Sequence, residues 1–114
     1  MNQMKNTKRF LLLAILAVGS IFSLSAQTDN SPGSIVYMNY CSACHGKKLE
    51  GGQAPSLLTT KWKHGDSKKA IIQTIKKGVP NTSMMAWENM LNEKQIEQVA
   101  DYMLSLKKSK KQKS

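Results

Sequence analysis

Apolar positions along the chain fall into helical patterns and nowhere into alternation. The clearest pattern is the last. Ile96, Val99, Ala100 and Met103 recur at i, i+3, i+4 and i+7, and Leu106 extends the stripe. Asn92 is placed to cap this helix, with Gln95 at the position that reaches back to the cap. A middle helix is predicted over Ser67–Lys77 with Asp66 as its cap. Ile71 and Ile75 lie one turn apart and define its buried stripe. Gly78 is suited to end it, with Pro80 shortly after. A first helix follows the turn-rich segment TDNSPG, with Ser31 as cap and Pro32 at the first helical position. It carries Ile35, Val36, Tyr37 and Tyr40 and runs into Cys41.

Two irregular stretches separate these helices. Residues 46–60 hold Gly46, Gly51, Gly52 and Pro55, and residues 79–91 read VPNTSMMAWENML. The pattern predicts an all-α fold of three to four helices joined by long glycine-containing loops. Loops this long in so short a chain are a sign of a wrapped ligand.

The N-terminus reads differently. Lys5, Lys8 and Arg9 precede an apolar run from Phe10 to Phe22, and Ser23-Leu24-Ser25-Ala26 follows. A basic start, a short apolar core and small residues at the end describe a secretory signal, with the cut expected after Ala26. A spanning helix needs roughly 20 apolar residues, more than this run has. The organisation expected is a signal peptide over 1–26, a linker over 27–33, a folded domain over 34–106 and a basic disordered tail over 107–114. Taking the 26 leader residues from 114 leaves 88 for the mature chain. A domain this small is often stapled by something other than its core.

Charge changes the picture little at this level. The chain has 17 basic and 7 acidic residues. Without the three basic residues of the leader and the five lysines from Lys107 to Lys113, nine lysines face the same seven acids. The basicity thus reads as a property of a solvated tail rather than of a folded face. Such a tail could steer the chain toward an acidic partner or an anionic membrane surface. Nucleic acid is a poor fit, because basic and aromatic residues do not interleave.

The candidate chemistry sits at Cys41-Ser42-Ala43-Cys44-His45. A C-x-x-C-H string is a haem attachment motif: its thiols form thioethers with the porphyrin vinyl groups and its histidine binds iron. One helical turn would set both sulfurs on one ring edge. A thioredoxin-like pair would want a βαβ pattern, which is missing. A structural zinc site would want four ligands, and His64 is the only candidate to join the crowded three. Haem iron needs a sixth position, whose ligand sets the chemistry. Met1 and Met4 lie in the leader, Met38 is too close to the motif, and Met103 belongs to the core stripe. Met84, Met85 and Met90 remain, and the first two lie in an irregular loop just past a helix end. No carboxylate pair and no second histidine is placed for acid-base work near the motif.

Together, CSACHG, APSL, IKKGVPNTSMMAW and QVADYMLSL resemble a class I monohaem cytochrome c over nearly the whole mature chain up to the tail. The resemblance implies a small helical fold with first and last helices crossing tightly at Gly33, Tyr37 and Tyr102. It implies one covalently bound haem c, with iron held by His45 and Met84. It also implies that the Pro55 carbonyl accepts a hydrogen bond from His45, and that Leu57 and Trp87 pack on or beside the haem. Trp62 and Lys63 match positions near a propionate. Family members often have proline after the methionine, where this chain has Met85. The implied function is an exported, periplasmic, monomeric one-electron carrier, not an enzyme, that cycles between Fe(III) and Fe(II). Its electron donor and acceptor would dock weakly at the haem edge. The alternatives are a dedicated subunit of a dehydrogenase or reductase complex, and a five-coordinate haem enzyme or gas sensor.

Overall fold

The computed structural model of the chain describes residues 28–113, so the signal peptide expected over 1–26 lies outside them. Among the described residues the structure is all-helical. Its elements are α1 (Pro32–Tyr40), α2 (Ser42–His45), α3 (Lys68–Lys77) and α4 (Glu93–Gln112).

Each helix starts where local chemistry satisfies its first amides. Ser31 accepts from the Ser34 amide, with Pro32 at the first helical position. Asn92 and Gln95 form the expected reciprocal cap of α4, at 2.9 and 3.0 Å. The cap of α3 differs from expectation: the Ser67 hydroxyl, not Asp66, accepts from the Ala70 amide at 3.1 Å. Gly78 ends α3 with φ +68°. α1 stops at Tyr40, and a break at Cys41 separates it from the single turn α2.

The centre of the fold is the crossing of α1 and α4. A Cβ on Gly33 would overlap the carbonyl oxygen of Gln98 and lie 3.0 Å from the Tyr102 Cβ. Only glycine lets the two backbones come this close. Tyr37 is wholly buried there, its ring 5.5 Å from that of Tyr102. The α4 stripe of Ile96, Val99, Ala100 and Met103 is buried as the periodicity predicts, and so are Ile71 and Ile75 of α3. Two loop residues complete the core, Leu49 and Leu91. Each fully buried aliphatic side chain stabilises by about 1.5–3 kcal/mol. The exposed ion pairs between α3 and α4, Lys68–Asp101 at 2.9 Å and Lys76–Glu93 at 3.0 Å, contribute under about 1 kcal/mol each. Burial, not charge, therefore sets how these helices lie.

The C-terminal segment departs from expectation. Residues 107–112, read from sequence as a disordered tail, continue α4 to Gln112. Nothing after Leu106 breaks a helix, and lysines near a helix C-terminus complement its dipole. Contacts to the body add to this. Lys107 reaches Asp66 at 2.7 Å and covers the Trp62 ring at 4.7 Å from its centroid. Asp66, not used as a cap, is free to take this role.

Two outcomes are expected. Gly33→Ala lowers the denaturation midpoint, costing about 1–3 kcal/mol by overpacking. Gly52→Ala, whose Cβ would meet nothing closer than 3.4 Å, leaves the midpoint nearly unchanged. Separately, hydrogen bonding to Lys107 holds the Asp66 carboxyl below its ordinary range. That contribution to stability is present above the ordinary carboxylate pKa and is lost as pH falls through the lowered value. In Lys107→Ala, carboxyl-carbon NMR should show Asp66 titrating back near its ordinary value of about 3.9.

Candidate functional site

The Cys41–His45 segment folds as the single helical turn its spacing suggests. The amides of Cys44 and His45 donate to the Cys41 carbonyl at 3.3 and 3.0 Å, and Gly46 N–H closes the turn onto Ser42 at 2.8 Å. Residues three apart on a helix share a face, which sets Cys41 and Cys44 side by side. Gly46 leaves the turn with φ +79°, where a Cβ would meet the Glu50 side chain.

Three attachments fix this turn. The Tyr37 hydroxyl donates to the Gly46 carbonyl at 2.6 Å, which ties the motif to the α1–α4 crossing. Burial pushes the Tyr37 pKa upward, so the hydroxyl keeps its proton and remains a donor. The loop after the motif then folds back on it: Gly51 N–H donates to the His45 carbonyl at 2.8 Å and Ala54 N–H to the Cys44 carbonyl at 3.0 Å. Finally, Leu49 plugs the loop into the core, with no exposed surface and a left-handed φ of +66°.

The side chains of the motif are half-buried. Burial pushes the Cys41 thiol up to about 11 and lowers the pKa of His45. The first makes Cys41 a poor free thiolate for redox exchange. The second keeps the imidazole neutral, with a lone pair to donate. The hydrogen bond expected from His45 to the Pro55 carbonyl is absent. Nδ1 of His45 is buried without a partner, and Pro55 lies exposed. The loop bonds the backbone of the motif, through the Ala54 amide to the Cys44 carbonyl, and not the His45 ring. Among the described residues no three His, Cys, Asp or Glu side chains gather as a metal group.

Met84 packs against the same core cluster as Cys41. Gly78 makes this possible: its Cβ would lie 2.6 Å from the Met84 carbonyl oxygen and 2.7 Å from the Met85 carbonyl carbon. The Val79 amide donates to that Met84 oxygen at 2.9 Å and closes the loop. Met84 is half-buried against the core, whereas Met85 is 52% exposed and Met90 58%. Trp87 follows, its amide bonded to the Ile75 carbonyl at 3.0 Å and its ring 5.8 Å from that of Tyr40, next to Cys41. Leu57 accepts from the Trp62 indole at 2.6 Å. His64 is exposed and Lys63 likewise.

Among the partly buried side chains packed against the core are Cys41, Leu57, Trp62, Ile72, Met84 and Trp87. They come from four stretches of chain. With an unpartnered buried imidazole nitrogen and two adjacent thiols, the donor set and its apolar surround fit a haem. The attachments that hold the motif, from Tyr37, Gly51 and Ala54, carry no signal of their own in the sequence. Those from Gly51 and Ala54 join residues across an aperiodic loop, and that from Tyr37 spans the break between α1 and α2.

Comparison with known proteins agrees with this fit. Residues 28–103 match the family described as cytochrome C oxidase, cbb3-type, subunit III. Among curated proteins, the chain is 36% identical over 81 residues to the Cbb3-type cytochrome c oxidase subunit FixP of Bradyrhizobium diazoefficiens, covering 68% of this chain and 28% of that protein. It is 34% identical over 64 residues to cytochrome c55X of Stutzerimonas stutzeri, covering 56% of each. The chain thus spans little more than a quarter of the FixP relative and about half of the cytochrome c55X relative. Among solved structures, cytochrome CL from Methylophaga aminisulfidivorans superposes with a TM-score of 0.58 at 26% identity, over 65% of this chain and 50% of that one. The all-helical cytochrome c fold and haem c as cofactor follow from the family, and this chain belongs to the cbb3-type cytochrome c oxidase subunit III family of c-type cytochromes.

Proposed function

We propose that this chain is an exported carrier of single electrons. In it Cys41 and Cys44 hold one haem c through thioether bonds, and His45 and Met84 hold the iron. The haem, when bound, supplies a one-electron Fe(III)/Fe(II) couple. The reading is supported by the clamped CSACH turn with its unpartnered buried His45 nitrogen, and by the packing of both Cys41 and Met84 against one core. His45, kept neutral by burial, offers its lone pair. Leu57 and Trp87 pack around the site and exclude water. The burial of Met84 and the exposure of Met85 support Met84 as the sulfur ligand. A thioether there closes the iron and favours electron transfer over binding of gases.

The export part of the proposal rests on the basic and apolar pattern of residues 1–26. No described helix is long and apolar enough to cross a membrane. A donor and an acceptor protein would dock weakly beside the haem edge, so that turnover stays fast. A second reading, that the carrier serves as a part of a larger complex, is favoured by the FixP relative, which is a subunit of an oxidase.

Two measurements test the site. In the ferric protein, Met84→Ala should abolish the weak far-red band that marks sulfur-to-iron bonding, while Met85→Ala keeps it; the reverse result would assign the ligand to Met85. The double variant Cys41→Ser, Cys44→Ser should carry no haem through a denaturing gel, so peroxidase staining of its band would defeat covalent attachment at these residues.

A further inference from the structure

The chain has three tyrosines and two tryptophans, all among the described residues. Three of these rings are committed elsewhere. Tyr37 is wholly buried, and its hydroxyl donates to the Gly46 carbonyl. Tyr102 lies against it, with ring centroids 5.5 Å apart. Trp62 carries the Lys107 ammonium 4.7 Å from its ring centroid. Tyr40 and Trp87 remain. One ends α1 and the other follows the Met84 loop, yet the fold sets their rings 5.8 Å apart, edge to face. Tyr40 is 42% exposed. Trp87 is partly buried and packs against the core cluster, as Cys41 and Met84 do.

Indole and phenol rings give up an electron to strong one-electron oxidants, and rings in contact exchange electrons readily. An indole radical oxidises a phenol at neutral pH, so the electron vacancy runs from tryptophan to tyrosine. The phenol must release its proton as its electron leaves, and the final ring must therefore reach water. Tyr40 does. Tyr37 does not, because its proton is held in a hydrogen bond inside the core. Trp62 is opposed by Lys107, whose charge raises the cost of removing an electron from the ring beneath it. Tyr40 is also joined through one peptide bond to Cys41. The pair thus has an inner ring beside the core, an outer ring in solvent, and a direct link to the attachment motif.

We propose that Trp87 and Tyr40 form a relay that discharges strong oxidising equivalents to the surface, where a small reductant in solvent quenches them. A radical oxidant first takes one electron from the Trp87 indole, whose N–H proton passes to water. One electron then moves from Tyr40 to Trp87. The Tyr40 hydroxyl proton goes to water, and the Trp87 nitrogen regains a proton from water. The net loss is one electron and one proton from Tyr40. A reductant of the enediol class, such as ascorbate, restores the phenol by returning both. Ordinary Fe(III)/Fe(II) cycling is too mild to oxidise either ring, so the relay stands apart from carrier turnover. The relay's purpose rests on the electron-carrier reading. Met84 packs against the same core and carries a sulfur prone to oxidation, and an exit through Tyr40 spares it.

The test uses the ferric holoprotein and the azide radical, made by pulse radiolysis. This radical becomes azide on gaining one electron and prefers indole to phenol. A Trp62→Phe background leaves Trp87 as the one tryptophan of the chain. There the indolyl absorption should decay by a first-order process whose rate is independent of protein concentration. Freeze-quenched samples should show a tyrosyl radical by electron paramagnetic resonance. Adding Tyr40→Phe, which keeps the ring and its contact, should abolish both the first-order decay and the tyrosyl signal. A nitroso spin trap, located by peptide mass mapping, should label Tyr40 in the background variant and lose that label when Trp87→Phe is added. Far-UV circular dichroism and the haem spectrum check each variant for folding. An indolyl decay unchanged by Tyr40→Phe overturns the proposal. So does a trap adduct on Tyr37 or Tyr102 in place of Tyr40. Equal labelling of Tyr40 with and without Trp87 also overturns it, since the exposed ring is then oxidised directly. Failure of the underlying reading is distinct: a chain without covalent haem defeats that reading while the passage of the radical from Trp87 to Tyr40 can still be measured.

Discussion

The close approach of α1 to α4 at Gly33 governs the rest of this structure. With no Cβ in the way, the Gln98 carbonyl lies against the first helix, and Tyr37 can be buried completely between the helices. Its hydroxyl cannot go unpaired in that position without a cost of about 1–3 kcal/mol. The partner it finds is the Gly46 carbonyl, the last link of the CSACHG turn. A packing constraint in the core thus sets the position of the reactive segment, through one hydrogen bond nine residues along the chain. The relation runs both ways, because the loop that bonds the same turn buries Leu49 in that core.

Glycines and short loop bonds do for the second half of the site what the crossing does for the first. Gly78 lets the Met84-Met85 backbone press against the end of α3, and the Val79 amide holds it there. Trp87 then bridges from the Ile75 carbonyl to the Tyr40 ring, so the methionine loop and the cysteine turn rest on a common frame. A redox centre benefits from such a frame, since ligands that move little between charge states leave little to reorganise when an electron passes.

Electrostatics plays a different part. The ion pairs between α3 and α4 are exposed and add little to stability. Lys107 is different in kind, since it engages an acid and an aromatic ring at once and fixes the end of α4 to the loop beside the site. That anchor holds the start of the lysine run against the body of the molecule.

Much of the fold was legible in the sequence, because much of it is local. The Asn92–Gln95 cap, the Ile71–Ile75 pair and the Ile96–Val99–Ala100–Met103 stripe depend on residues within two turns of each other, and all lie as their spacing predicts. The CSACH turn is local for the same reason. What sequence could not yield involves partners far apart or in aperiodic loops. Asp66 reads as a helix cap until Lys107, 41 positions away, claims it. Leu49 stands alone among charged residues and has no period to reveal its burial. Met84 and Met85 are equivalent as neighbours in a string, and only the backbone turned by Gly78 leaves one half-buried and the other in solvent. The lysines after Leu106 look like a tail because composition carries no record of what a side chain will meet. Sequence by itself determined the helices and the attachment motif, since short-range spacing is enough to specify them; tertiary structure decided the exposure of each methionine and the pairing of Lys107 with Asp66 and Trp62, since both depend on segments that meet only when the core closes.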